Sequence, residues 1–201
     1  MVMPGRYFIS LSQYVRGEVT ELAGPAPFEV VVLNNTTLPA EDREELVAFQ
    51  DKVSGLTRAM EGARRQASEL QNQARVIRQT LQQMPDAPPA LVQKVVDIEA
   101  ELDNIQWTFR GQEPKASDEE NWPAQVPLSE RLSSILAPHW SSTSAVTQTQ
   151  KDVYDVLMEE FPPVLEQIRR INDVEMKTIE EELNQIGAPW TPGRVLNWNR
   201  Q

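Results

Sequence analysis

The sequence predicts a mainly α-helical protein, an antiparallel helical bundle with long heptad-patterned helices, preceded by a small antiparallel β segment. Three observations carry this. Apolar residues step by three and four without a break from Leu46 to Met84, two later stretches repeat that period, and within the first 33 residues Arg6 to Val15 alternates and Phe28 to Leu33 is rich in β-branched residues instead. The chain divides accordingly into a β segment over 1–36, a bundle over 37–188 and a C-terminal tail over 189–201.

In the β segment, Arg6 to Val15 alternates after the Pro4-Gly5 turn signal, with Tyr7, Ile9 and Leu11 on one side. A second run, Phe28 to Leu33, follows the breaker Gly24-Pro25-Ala26-Pro27 and is rich in β-branched residues. Val19 to Leu22 is a candidate for a short strand between them. Two or three strands cannot bury both of their faces, and an isolated hairpin is marginal in water, so this segment needs a partner.

The stretch Asn34-Asn35-Thr36-Thr37-Leu38-Pro39-Ala40-Glu41 combines capping residues, a proline and an acid, and predicts a helix beginning near Pro39. Its seam is Leu46, Phe49, Val53, Leu56, Met60, Ala63, Ala67, Leu70, Ala74, Ile77, Leu81 and Met84. At ~1.5 Å per residue the helix would be on the order of 65–70 Å long and must pack lengthwise against something. The alanines allow a close neighbour at mid-length, and Gly55 and Gly62 fall off the seam. Met84-Pro85-Asp86-Ala87-Pro88-Pro89 ends it, because proline removes a donor and restricts its predecessor. A returning helix follows on Leu91, Val95, Ile98, Leu102, Ile105 and Phe109.

Gly111 to Pro127 has no period and reads as a loop pinned by Trp122. A short helix on Leu128, Leu132 and Ile135 is expected to stop near Pro138. The last long helix holds Tyr154, Leu157, Phe161, Val164, Ile168 and Ile171, then shifts phase before Ile179, Leu183 and Ile186, with a kink expected at Pro162-Pro163. Gly187 is the expected C-terminal cap, and Pro189 to Arg194 reads as a tail rather than a structural element.

Composition narrows the chemistry. With no cysteine there is no thiol catalysis, disulfide framework or cysteine-based metal site. Nineteen basic against 30 acidic residues give a formal charge of -11, which repels phosphate backbones and anionic bilayers and makes nucleic acid a poor partner. Met1 to Arg6 show no basic stretch leading into an apolar run, so no signal peptide is expected there, and no apolar run is long enough for a membrane span.

Candidate sites are few. The sole histidine, His139, has no second ligand at metal spacing and reads as structural or exposed. The acidic runs Glu44-Glu45, Glu159-Glu160 and Glu180-Glu181-Glu182 contain the pairs a glycosidase would need, yet neighbours on a helix diverge by about 100° and solvate the outer face. The overlapping sequons at Asn34 and Asn35 read better as helix capping. Arg58, Arg64, Arg65, Arg75 and Arg78 are expected to pair within the chain. Trp190 and Trp198 are expected to anchor the tail to the bundle. Phosphate-loop, nucleophile-elbow, zinc-helix and calcium-loop motifs are absent, so catalytic, cofactor-binding and metal residues are all read as none.

The runs Pro4-Gly5-Arg6-Tyr7-Phe8-Ile9-Ser10-Leu11, Gly24-Pro25-Ala26-Pro27-Phe28-Glu29-Val30, Thr36-Thr37-Leu38-Pro39 and Gly187-Ala188-Pro189-Trp190-Thr191-Pro192-Gly193-Arg194 form a further pattern. In these the chain resembles the final part of large bacterial proteins with sortilin-like, bacterial-neuraminidase-repeat β-propellers, often named glycosyl hydrolases. The resemblance implies that Met1 to Leu33 are the last strands of an immunoglobulin-like or fibronectin-like sandwich, and that the parent protein is exported. The propeller's Asp-box, Ser-x-Asp-x-Gly-x-x-x-x-Trp, does not occur here, so any hydrolase activity would belong to the propeller. The expected function is a non-catalytic accessory module that docks on the rest of the propeller protein or on another protein. A homo-oligomerisation bundle is the alternative, and a glycoside hydrolase in its own right ranks below both.

Overall fold

The computed structural model describes residues 2–33, 39–113 and 124–195, without the Trp140 side chain. The fold is mainly helical with a small two-stranded antiparallel sheet at its N-terminal end, as the periodicity predicts. Strand β1 spans Gly5–Val15 and β2 spans Glu18–Val30, joined by a two-residue turn in which Arg16 (φ 53°) and Gly17 (φ 91°) both adopt positive φ. That is the hairpin geometry whose twist matches the strands it connects.

The β segment departs from expectation in one respect. Gly24 to Pro27 does not separate two short strands; β2 runs straight through it, pairing Pro27 with Phe8 and Ala26 with Ile9, and ends at Val30 rather than Leu33. A two-stranded ribbon consists of edges, where a missing amide donor costs little. The irregularity is absorbed by register shifts around Leu11, beside Gly24. Gly24 has φ 128°, and a Cβ there would lie 2.6–2.9 Å from Ser10, so only glycine fits.

Helix α1 spans Arg43–Gln82, α2 Pro89–Arg110, α3 Leu128–Ser141, α4 Gln148–Arg170 and α5 Met176–Gln185, with a π-helical turn over Ile171–Glu175 joining the last two. Helix α1 starts at Arg43, not at Pro39. Pro39 bridges to Ser144 and the Ala40 amide donates to the Thr143 carbonyl, so this stretch is held extended by the α3–α4 loop. Asp42 then caps the helix by accepting from the Glu45 amide at 2.9 Å. Asn34 to Leu38, to which the sequence assigned capping and the sequons, lie outside the described residues, as does Trp122.

Side-chain contacts set the helix directions. Gln71 meets Asp103, Ser68 meets Gln106 and Arg78 meets Glu99, so residue numbers fall on α2 as they rise on α1. Glu45 meets Lys151 and Gln66 meets Asn172, a constant offset that makes the last column run parallel to α1. Phe49 touches both His139 and Tyr154, and Arg131 pairs with Glu160, which places α3 against the first half of α1, antiparallel to α4. Helix α3 therefore continues the column that α2 begins. The result is three columns, with 40 residues in α1, 22 and 14 in α2 and α3, and 23, 5 and 10 in α4, the π turn and α5. These near-equal lengths are what allow the seam of α1 to be covered along its whole length.

That cover is complete. Every seam residue from Leu46 to Leu81 is buried, and Met84 is partly buried. Ala67 has no exposed surface, and at its level Gln106 donates to Ser68 at 3.0 Å and Gln66 to Asn172 at 3.0 Å, the close approach that small residues permit. The apolar residues expected on α2 and α3 are buried too, as are Leu157, Phe161, Val164, Ile168, Ile171, Ile179 and Leu183 in the last column.

The phase shift takes a definite form. Between Ile171 and Met176 the buried positions are five apart instead of three or four, and the π turn adds the extra residue that keeps both on the core face. The proline pair expected to kink the last helix leaves α4 continuous. Pro162 and Pro163 lie inside α4 on its exposed side, where the carbonyls they leave free face water. Pro138 lies in the last turn of α3, which runs on to Ser141.

The C-terminal stretch is also more ordered than a tail. Gly187 (φ 66°) caps α5, with its amide on the Asn184 carbonyl and the Ala188 amide on that of Leu183. Beyond it Thr191 and Arg194 are buried, and Gly193 lies against Gln73 of α1. Trp190, expected to be the anchor, is 60% exposed, and Trp198 lies outside the described residues. Arginine does the anchoring, through bonds from Nη2 to the Ala188 carbonyl at 2.6 Å and the Pro189 carbonyl at 2.5 Å.

Two stability outcomes are expected. A Cβ added at Gly55 or Gly62 meets nothing within 4 Å, so Gly55→Ala and Gly62→Ala should each raise unfolding free energy by about 0.5–1 kcal/mol in denaturant titrations. A loss at either would mean these helix faces are not open. Arg194→Ala should cost about 1.5–3 kcal/mol through lost charge-assisted hydrogen bonds, whereas Trp190→Ala should stay within about 0.5 kcal/mol. The reverse order would restore the tryptophan as anchor.

Candidate interaction surface

The polar candidates from the sequence do not converge. Glu45 pairs with Lys151, Glu160 with Arg131 and Glu182 with Lys94, each across a helix interface, while Glu44, Glu159 and Glu181 face solvent. These exposed or half-exposed pairs contribute little stability, but they fix which helix faces meet. Among the described residues no group of three or more histidines and carboxylates is placed to hold a metal ion, and no helix is long and apolar enough to cross a membrane.

Pairing of the basic residues on α1 is partial. Arg78 reaches Glu99 on α2, Arg64 pairs with Glu61 on its own helix, and Arg58 donates to Ser54. Arg65 and Arg75 are exposed and make no ion pair among the described residues. A shallow groove of about 340 Å³ lies between α2 and the π turn, lined by Lys94, Asp97, Ile98, Glu101, Val174, Glu175, Thr178 and Ile179. Glu101 and Glu175 both engage Arg170, and Asp97 accepts from Gln93.

His139 packs edge-on against Phe49, with ring centroids 5.4 Å apart, and its Nε2 is buried without a hydrogen-bond partner. Desolvation holds its pKa below the ordinary 6.5, because the imidazolium would lose hydration without gaining a partner. The unfolded chain therefore binds this proton more readily than the folded one. The neutral ring's contribution is full above the unfolded value of 6.5 and is lost as pH falls from there through the lowered folded value. Melting temperatures compared at about pH 7 and about pH 5.5 should fall less for His139→Gln than for the parent. An equal fall would show that His139 contributes nothing to the pH dependence.

What remains is the hairpin. Cross-strand partners share a face, so Tyr7, Ile9 and Leu11 lie together with Phe28, Ala26 and Ala23. Tyr7 and Phe28 meet in a tilted pair with centroids 5.9 Å apart, yet Ile9 and Leu11 are 62% and 61% exposed, and among the described residues no helix packs across either strand. The opposite face carries exposed Phe8, Tyr14 and Val19. Among the described residues the ribbon therefore exposes large apolar side chains on both faces, beside a bundle that covers its own seam, and is the candidate for an interaction surface. The alternation in the sequence pointed to the strands and to their need of a partner. What it did not show was that the helices leave the ribbon bare. The turn signal Arg16-Gly17 was present in the sequence and would have joined the strands into one hairpin.

No family model matches the chain, and neither a curated protein nor a solved structure matches it.

Proposed function

We propose that this chain is a non-catalytic interaction module in which a rigid three-column bundle presents an apolar β-hairpin to a protein partner. The observation that carries the reading is the contrast between the two apolar surfaces. The helical seams are spent within the chain, and the hairpin's are not. By its resemblance to the ends of propeller proteins, the partner in view is the rest of such an exported protein, whose sandwich the hairpin would complete, or a separate protein. The homo-oligomer remains the alternative, but the surface for it moves from the seam, which is covered, to the hairpin. A glycoside hydrolase reading has little to stand on, since the acidic runs are split between surface ion pairs and solvent.

A photo-crosslinking amino acid at Leu11, on the hairpin, should give adducts of discrete mass, and the same residue at Arg65, on the exposed face of α1, should not. Adducts from Arg65 alone, or equally from both, overturn the docking reading. Turnover of a glycan panel abolished by one carboxylate substitution would overturn the non-catalytic one.

A further inference from the structure

The two edges of the hairpin differ. Strand β2 carries Pro25 and Pro27, which remove two amide donors and crowd its flank. Strand β1 has no proline, and after Arg6 it is uncharged from Tyr7 to Val15. Among the described residues the outer edge of β1 is unpaired, and a long, uncharged edge of this kind is a template for another strand even with the register shifts around Leu11. A ribbon with one open and one obstructed edge can accept one neighbour and then stop.

We infer that the occupant of the β1 edge is the β1 edge of a second copy of this chain, giving a closed two-fold dimer with strand order β2-β1-β1-β2. This rests on the reading of the hairpin as the docking element and names what docks there. Three considerations favour a second copy. The first is strand count: two strands are marginal in water, whereas three or more with an apolar face are stable, and pairing two hairpins takes each past that threshold. The second is charge. The span Gly5 to Val30 holds two basic residues, Arg6 and Arg16, against three acids, Glu18, Glu21 and Glu29, while the chain as a whole carries -11. Elsewhere on the surface two copies repel; at the hairpin they meet almost neutral. Antiparallel pairing also sets the two Arg6 side chains at opposite ends of the joined strands, each near the turn of the other copy, where Arg16 is followed by Glu18. The third is closure. The contact is isologous, and the prolines on both outer strands keep it from growing into a fibre. The joined sheet also merges the two rows of Tyr7, Ile9, Leu11 and Phe28 into one apolar face.

Multi-angle light scattering on the full chain, from low to high micromolar concentration, is the test. A mass rising to twice that of one chain is expected. Phe8→Lys with Ser12→Lys, which puts two like charges on β1 of each copy, should weaken association at least about tenfold. Thr20→Lys with Leu22→Lys on β2 should leave it unchanged. Amide exchange supplies a second readout that does not depend on the variants, since pairing should protect β1 more than β2 as concentration rises. A chain that stays monomeric throughout, or a dimer indifferent to the β1 charges, overturns the inference. Crosslinks from Leu11 to a different protein with a monomeric chain would sink self-pairing and leave the docking reading intact, whereas no crosslinks at all would remove both.

Discussion

The structure depends on the burial of one apolar stripe. The residues from Leu46 to Leu81 lie along a helix of 40 residues, on the order of 60 Å long, which cannot be stable in water as a lone rod. Each buried aliphatic side chain contributes roughly 1.5–3 kcal/mol relative to exposure, so leaving the stripe bare on any third of its length would forfeit several such contributions. The rest of the chain is arranged to prevent that. Helix α2 covers the second half of α1, α3 resumes the same column to cover the first half, and α4, the π turn and α5 lie alongside both.

The need for continuous cover explains features that look irregular when taken singly. The π turn at Ile171–Glu175 exists because the last column must keep facing the seam after its apolar spacing slips to five residues. The prolines inside α4 are tolerated because they fall on the side away from the seam. Gln106 can be buried because Ser68 receives its amide where alanines bring the columns close. The cross-column ion pairs of Glu45, Glu99, Glu101, Glu160 and Glu182 add register more than energy.

A bundle that consumes its own apolar surface leaves the hairpin conspicuous. Its exposed Phe8, Ile9, Leu11 and Tyr14 are the kind of side chains the helices bury, and they lie on an element with no second layer among the described residues. The proposed role as an interaction module rests on this contrast between a self-sufficient scaffold and an incomplete sheet. The bundle supplies rigidity and a strong negative charge, and the hairpin supplies nearly neutral, unsatisfied surface.

The residues by themselves determined the helices, because heptad spacing is a local property. Every predicted seam position on α1, α2 and α3 is buried or partly so, and the phase slip near Ile171 was visible as a change of spacing. The capping glycine at 187 was legible for the same reason: positive φ after a periodic run is a local demand. Tertiary structure decided what depends on residues distant in sequence. Pro39 and Ala40 look like a helix start, but the loop at Thr143 and Ser144 holds them extended. Gly24 to Pro27 looks like a break, but an edge strand accepts prolines, and Ser10 across the ribbon requires the glycine. Arg194 rather than Trp190 ties down the C-terminal turn, because which side chain turns inward depends on where Gln73 and the end of α5 come together. That no described helix covers the hairpin, while the three columns cover one another, depends on how distant segments pack, and spacing along a single segment cannot register it.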